Sequence, residues 1–385
     1  MKRVRPLIGI ILAAFAAFAL TPASTRASPP DISTHAAGAA LIDVKSGRIL
    51  YSQNGDKPMR IASLTKVMTA IVAIEHGKLS DSVKVSKIAF RKEGSSIYLK
   101  LGEEMSLQNL LYGLMLRSGN DAATAIAEHV GGSIEGFVFM MNEKATMLGL
   151  DHTSFQNPHG LDADAHRSSA NDMAKLTAYA LKNPIFQDIV KTKVKKVPNP
   201  NEAWEYTWYN KNKMLSLYDG ADGVKTGYTK TAGRCLISSA TRDGQQLVAV
   251  TLDDRDDWAD HTRLMDYGFK HYPLKEWVTR GQPVEDQPFV AGATFRYPIA
   301  EGEESAMTAK TVLFEDKEVA ARLGQRGVLE FSINSQKVGA VPLYEAKSLL
   351  LKRNRPAFEA LSMPARSNFT DALRSVIRAL FMAGH

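Results

Sequence analysis

The sequence predicts an α+β fold: an antiparallel sheet with an inserted helical cluster, followed by a small β-rich domain. Three observations predict it. Apolar alternation around tight turns occurs near residue 40 and again near residue 240. Between them lie several segments with helical spacing, so the two strand groups flank a helical insertion. After about Pro273 the helical pattern gives way to short alternating segments.

Ala39-Ala40-Leu41-Ile42-Asp43-Val44, then Ser46-Gly47, then Ile49-Leu50-Tyr51 reads as two strands around a tight turn. From Ser63 to His76 the apolar residues Leu64, Val67, Met68, Ile71, Val72 and Ile74 follow a helical period that Gly77 ends. A second helix is expected from Ser106, its N-cap, to about Leu116. A third runs from about Asp121 to Val130 and stops at Gly131-Gly132, with more helix at about Ile134–Leu148 and Ala170–Leu181. Strands return near Arg234–Ala240 and Leu247–Leu252, joined by a turn at Asp243-Gly244, and a helix follows near Trp258–His271. Beyond it, Thr294-Phe295-Arg296-Tyr297 and Val328-Leu329-Glu330-Phe331-Ser332-Ile333 alternate like strands.

The termini differ in kind from the rest. Lys2, Arg3 and Arg5 precede an apolar run from Leu7 to Leu20 and small residues up to Ala27. This is the pattern of a secretory signal, and the run is shorter than the roughly 20 apolar residues a spanning helix needs. The division expected is 1–27 signal peptide, 28–272 catalytic domain, 273–351 small β-rich domain and 352–385 linker and amphipathic helix. In that last helix Phe369, Leu373, Val376, Ile377, Leu380 and Phe381 share one face, which suits weak contact with a membrane surface. An exported chain is expected in the periplasm or at the outer face of the cytoplasmic membrane. The net charge of +7 falls to about +3 without the signal, too mild to argue for nucleic acid. Cys235, the single cysteine, has no internal partner and reads as a buried strand residue.

Ser63-Leu64-Thr65-Lys66 carries the chemistry. Residues three apart share a helix face, so the amine can reach the hydroxyl, as an activated serine nucleophile requires. Ser-x-x-Lys is a known signature of β-lactamases and penicillin-binding proteins, yet alone it is weak. Lys225-Thr226-Gly227 occurs once, directly before an expected strand. Ser-x-Asn occurs at Ser118, Ser169 and Ser332. Ser118 falls in the break between two apolar helices, where its side chain can face a cleft. Ser169 suits a helix cap, and Ser332 a strand of the second domain.

The residues around these motifs resemble one family. Arg60-Ile61-Ala62-Ser63-Leu64-Thr65-Lys66-Val67-Met68, Arg117-Ser118-Gly119-Asn120-Asp121, Asn157-Pro158-His159-Gly160-Leu161 and Asp222-Gly223-Val224-Lys225-Thr226-Gly227-Tyr228-Thr229 are similar to the low-molecular-mass penicillin-binding proteins that act as serine D-alanyl-D-alanine carboxypeptidases. The resemblance covers roughly residues 35–272 and implies a β-lactamase/transpeptidase-like fold. It implies that Ser63 attacks the peptide carbonyl and forms an acyl-enzyme, that Lys66 takes its proton, and that Ser118 relays it. Asn120 would bind the substrate's peptide chain. Lys225 and Thr226 would face its terminal carboxylate, and Gly227 would lie where substrate approaches the backbone. The backbone N–H groups of Ser63 and Tyr228 would form the oxyanion hole. The implied partners are peptidoglycan stem peptides ending in D-Ala-D-Ala, with β-lactams as covalent inhibitors and roles in wall synthesis and cell shape. No cofactor and no metal is expected.

A free lysine has a pKa of about 10.4, so about one in 2,500 is neutral at pH 7. Burial and a nearby cation both lower it, and Lys225 would be that cation for Lys66. Two rivals share the reactive groups. A class A β-lactamase uses a glutamate for deacylation, and no Glu lies between Glu143 and Glu202, although Asp162 and Asp164 do. A D,D-endopeptidase on crosslinked peptides would use the same residues. His152, His159 and His166 recur every seven residues, but without H-E-x-x-H they point to structural roles rather than a metal. An arginine assisting the substrate carboxylate in some family members is not assignable to Arg255 or Arg263.

Overall fold

A computed structural model describes residues 29–199 and 202–351. The expected signal and C-terminal helix lie outside the described residues. Strands β1 (Gly38–Asp43) and β2 (Ile49–Gln53) form the first hairpin. The chain then leaves the sheet. A 3₁₀ turn, Ala62–Thr65, runs into α1 (Lys66–His76). The small pair β3 (Ser82–Lys84) and β4 (Glu104–Ser106) leads to α2 (Leu107–Tyr112) and a π-helical turn, Gly113–Arg117. Next come α3 (Asn120–Gly131), α4 (Ile134–Met147), α5 (Ala170–Ala180) and α6 (Pro184–Lys191), then a second hairpin, β5 (Val194–Val197) with β6 (Tyr206–Tyr209), and α7 (Met214–Leu217). The chain returns through β7 (Ala221–Thr229), β8 (Gly233–Arg242) and β9 (Gln245–Leu252) and closes with α8 (Asp257–His271).

The main sheet is antiparallel with strand order β2-β1-β9-β8-β7. The first hairpin therefore pairs with the last strand of the meander, and the helices form an insertion between them, the α+β arrangement the sequence predicts. The period of two sorts residues onto two faces. Ala40, Ile42, Ile237, Val248 and Val250 join the core under the helical insertion. Leu41, Leu236, Leu247 and Ala249 face Leu264 and Met265 of α8. β1 is buried on both faces, so its run is continuously apolar rather than alternating. Each such Leu or Ile, fully buried, contributes about 1.5–3 kcal/mol. Serines start three of the helices: Ser106, Ser133 and Ser169 accept from the backbone N–H groups of Asn109, Gly136 and Asp172, each cap worth about 1 kcal/mol. At the β8–β9 hairpin Asp243 and Gly244 both have positive φ (49° and 77°), the two-residue turn that matches strand twist.

Three expectations change. Lys225-Thr226-Gly227 does not precede a strand but lies within β7, the edge of the main sheet. The helix expected from Ser106 to Leu116 is α2 followed by the π-helical turn. The segment from Ser63 begins as 3₁₀ and becomes α-helical only at Lys66.

Beyond Pro273, β10 (Leu274–Val278) pairs with β12 (Phe295–Pro298). β11 (Phe289–Ala291), β13 (Met307–Leu313), β14 (Gly327–Ile333) and β15 (Gln336–Glu345) form a sheet of order β11-β15-β14-β13, with a short helix α9 (Val319–Arg322) before β14. Their core is separate, built on Val278, Leu329, Phe331, Val341 and Leu343. Arg48 ties the two parts together. Its guanidinium donates to Pro298 O (2.7 Å) and to Glu303 (2.7 and 2.8 Å) and lies over the rings of Tyr272 and Tyr297.

Candidate active site

The site forms where the Ser63 turn, the start of α3 and the edge strand β7 meet. In a 3₁₀ turn residues i and i+3 lie directly over one another. Ser63 Oγ is accordingly 2.9 Å from Lys66 Nζ. The turn begins at Ala62, a buried residue with φ of +46°, a costly conformation of the kind that collects at functional sites.

Lys66 is completely buried. Its Nζ also donates to Asn120 Oδ1 (2.7 Å) and to the carbonyl of His159 (2.7 Å). A neutral amine has two protons and one lone pair. The two carbonyls take the protons, which leaves the lone pair for the Ser63 hydroxyl. Burial first, then the charges of Lys225 and Lys211, hold the Lys66 amine well below the usual lysine range, while Asp121 pulls the other way.

Ser118 is buried at the end of the π-helical turn, with φ of +66°. This left-handed residue lets the chain reverse into α3, whose first residue is Asn120. Asn120 is fixed at both ends of its amide, Oδ1 by Lys66 and Nδ2 by the carbonyl of Glu93 (2.7 Å). Asp121, beside it, accepts from Ser96 Oγ (2.6 Å) and the backbone N–H groups of Ile97 and Leu99, and so shapes the loop opposite.

On β7, Lys225 is buried and donates to the carbonyl of Thr226 (2.7 Å). Burial and Lys211 lower its pKa to about 7. Lys225, the cation expected beside Lys66, is therefore only part-charged at neutral pH. Gly227 lies against the Ser63 turn: a Cβ there would come within 3.2 Å of both Ile61 O and Ser63 N. Tyr228 follows, 66% exposed at the strand's edge. Sequence reasoning missed Lys211. It comes from the loop before α7, within 3.5 Å of Ser95 Oγ, and its own pKa is lowered by burial and Arg117. No motif marks it, because proximity to β7 through the fold is its only signal.

The segment Asn157-Pro158-His159-Gly160-Leu161 backs the site. Pro158 O accepts from Thr69 Oγ1 (2.6 Å) and His159 O from Lys66. The three evenly spaced histidines are held separately. The His159 ring accepts from Leu161 N (3.3 Å), His166 lies between Thr65 Oγ1 (2.7 Å) and Gln156 N (3.0 Å), and His152 is 3.9 Å from Asp56. Burial lowers His159 to about 3 and His166 to about 4, so both rings are neutral. Arg263 is held by buried Asp260, and Arg234 on β8 is paired with Asp257.

A family profile described as D-alanyl-D-alanine carboxypeptidase matches residues 23–256. The chain belongs to that family. As a carboxypeptidase family member it is 37% identical over 294 residues to D-alanyl-D-alanine carboxypeptidase DacF of Bacillus subtilis, covering 74% of this chain and 75% of that one. It is 34% identical over 335 residues to D-alanyl-D-alanine carboxypeptidase DacC of Escherichia coli, covering 79% and 81%. Among solved structures, penicillin binding protein 5 from Haemophilus influenzae is similar at a TM-score of 0.68 and 26% identity, over 82% of this chain and 98% of that one. Among the described residues of this family member, no helix is long and apolar enough to cross a membrane.

Proposed function

We propose that this serine D-Ala-D-Ala carboxypeptidase works through Ser63. The observation that carries the reading is the 2.9 Å separation of Ser63 Oγ from Lys66 Nζ, with both other Lys66 contacts going to carbonyls. Ser63 Oγ attacks the carbonyl of the penultimate D-alanine as its proton passes to neutral Lys66. The N–H groups of Ser63 and Tyr228 receive the oxyanion. The C–N bond breaks as the proton moves through Ser118 to the departing D-alanine amine. Water then cleaves the ester and regenerates Ser63. Asn120 holds the peptide, and Thr226 with the cations Lys225 and Lys211 receives the terminal carboxylate. A β-lactam acylates the same serine. The substrate class supports export, with residues 1–27 as signal, 28–272 carrying the reaction and 273–351 a separate β-rich unit. It supports action in the periplasm or at the outer face of the cytoplasmic membrane, with weak surface contact through residues 352–385.

Labelled penicillin followed by peptide mass spectrometry tests the nucleophile. The label is expected on Ser63 and absent in Ser63→Ala, and a label elsewhere overturns the reading. Lys225 gives a pH test. Its charge is present below about pH 7 and lost as pH rises through that value. For a carboxylate-ended peptide kcat/KM, which reports the free enzyme, is expected to fall above about pH 7. A bound carboxylate favours the ammonium, so the corresponding limb of kcat moves to higher pH. Coincident limbs in the two profiles would sink this role.

A further inference from the structure

Asp162 joins two parts of the site that the chain supplies from distant segments. Its Oδ1 lies 3.4 Å from Arg60 Nη1, three residues before Ser63. The same oxygen accepts from Thr229 Oγ1 (3.3 Å), one residue after Tyr228. Its Oδ2 accepts from Thr231 Oγ1 (2.5 Å), in the turn that leaves β7. Thr229 Oγ1 in turn accepts from Ala232 N (3.0 Å), which closes that turn.

The residues just before Asp162 are equally fixed. Asn157 Oδ1 accepts from Gly160 N (2.7 Å), and Asn157 Nδ2 donates to Leu161 O (2.9 Å). Gly160, at φ of +86°, packs so closely on the Ser63 turn that a Cβ would sit 2.0 Å from Ala62 O. Asp162 therefore projects from a braced loop. It cannot drift without also moving the His159 carbonyl that meets Lys66.

We propose that Asp162 is a positioning residue whose carboxylate ties the Ser63 turn to the end of β7, and so sets the separation of the backbone N–H groups of Ser63 and Tyr228. The inference rests on the reading of those two groups as the oxyanion hole. An oxyanion stabiliser works only when its donors are aimed in advance at the developing charge. Here the donors lie on segments 165 residues apart in sequence. Their contact at Gly227 sets the approach at one point, and a second tie at Asp162 fixes the relative rotation.

A general base in deacylation is the competing role for this carboxylate. The geometry opposes it. Both oxygens are engaged, one by a cation and a hydroxyl, the other by a hydroxyl. The two roles have different kinetic signatures. Acylation and deacylation both pass through an oxyanion, so a misplaced hole slows them together, whereas a lost base slows deacylation alone.

The test compares wild type with Asp162→Ala, Asp162→Asn and the double variant Thr229→Val with Thr231→Val. Acylation of Ser63 by labelled penicillin and decay of the acyl-enzyme are timed separately, and KM is measured on a D-Ala-D-Ala peptide. In Asp162→Ala both rates are expected to fall by a common factor of about 10–100, since small misplacements of reacting groups cost on that order. KM is expected to change less than twofold. Asp162→Asn keeps an acceptor for the threonine hydroxyls and is expected to recover part of the loss. Thr229→Val combined with Thr231→Val removes both threonine contacts to Asp162 from the other side and is expected to lower both rates together even if the Asp162 variants fold poorly. Loss confined to deacylation, or wild-type acylation in both Asp162→Ala and the double variant Thr229→Val with Thr231→Val, overturns the proposal. Failure of wild-type Ser63 to take the label would instead overturn the functional reading beneath it.

Discussion

Lys66→Met is expected to reduce acylation of Ser63 by at least about 10²–10⁴-fold, the usual contribution of a positioned base. Methionine keeps most of the stem volume and supplies no proton acceptor of comparable strength. Lys225 and Lys211 cannot substitute, because Lys225 Nζ is held by the Thr226 carbonyl and Lys211 sits beside Ser95. Stopped reactions with labelled penicillin give the rate, and a urea titration shows that the variant is folded. Acylation within tenfold of wild type would remove Lys66 from the role of base. The same logic predicts the acid limb of the wild-type profile. Acid protonates Lys66, and its three neighbours then all become acceptors for the ammonium, so the lone pair that faces Ser63 is lost.

Gly160→Ala is the second large effect. Two costs add at this position. The φ of +86° disfavours any L side chain by about 1–3 kcal/mol, and the new methyl would meet Ala62 O at 2.0 Å and Thr65 Oγ1 at 2.9 Å. Overpacking of this kind costs a further 1–3 kcal/mol or so. A loss of about 2–6 kcal/mol is expected, read as a lower urea midpoint with an unchanged slope. Activity should fall with it, since the His159 carbonyl that contacts Lys66 precedes Gly160 directly. An unchanged midpoint would mean that the Ser63 turn yields easily, contrary to its packing.

The parts of the site that were legible in the sequence are those whose chemistry is local. Ser63 and Lys66 lie one turn apart, and Ser118 and Asn120 sit at a break between helices, so spacing, chain position and the family resemblance together single them out. β7 was harder to read. Ala221-Asp222-Gly223-Val224-Lys225-Thr226-Gly227 carries one large apolar residue where a strand normally alternates. Polar residues and glycines stand where alternating apolar side chains would mark a strand, and Asp222-Gly223 mimics a turn. α6 and the β5–β6 hairpin went unread because each is short: eight residues in the helix and four in each strand, too few for a period to stand out. Lys211 and the Asp162 tie were invisible for a different reason. Both depend on which loops the completed sheet brings together, and no short window of sequence records that.

The position of β7 at the open edge of the main sheet has a consequence for the protein in solution. An unpaired strand edge is a template for any extended chain, including a second copy of the same molecule. If peptide seats on β7 as proposed, the sheet cannot cover this edge and still admit it. The protection lies in composition instead. Gly223 and Gly227 weaken the strand as a partner for indiscriminate pairing, Lys225 places a titratable charge within it, and Lys230 follows immediately. The strand edge is thus too irregular to be a ready template for a fibril. A covalently bound inhibitor that fills that edge is expected to make concentrated solutions less prone to self-association, as light scattering would record.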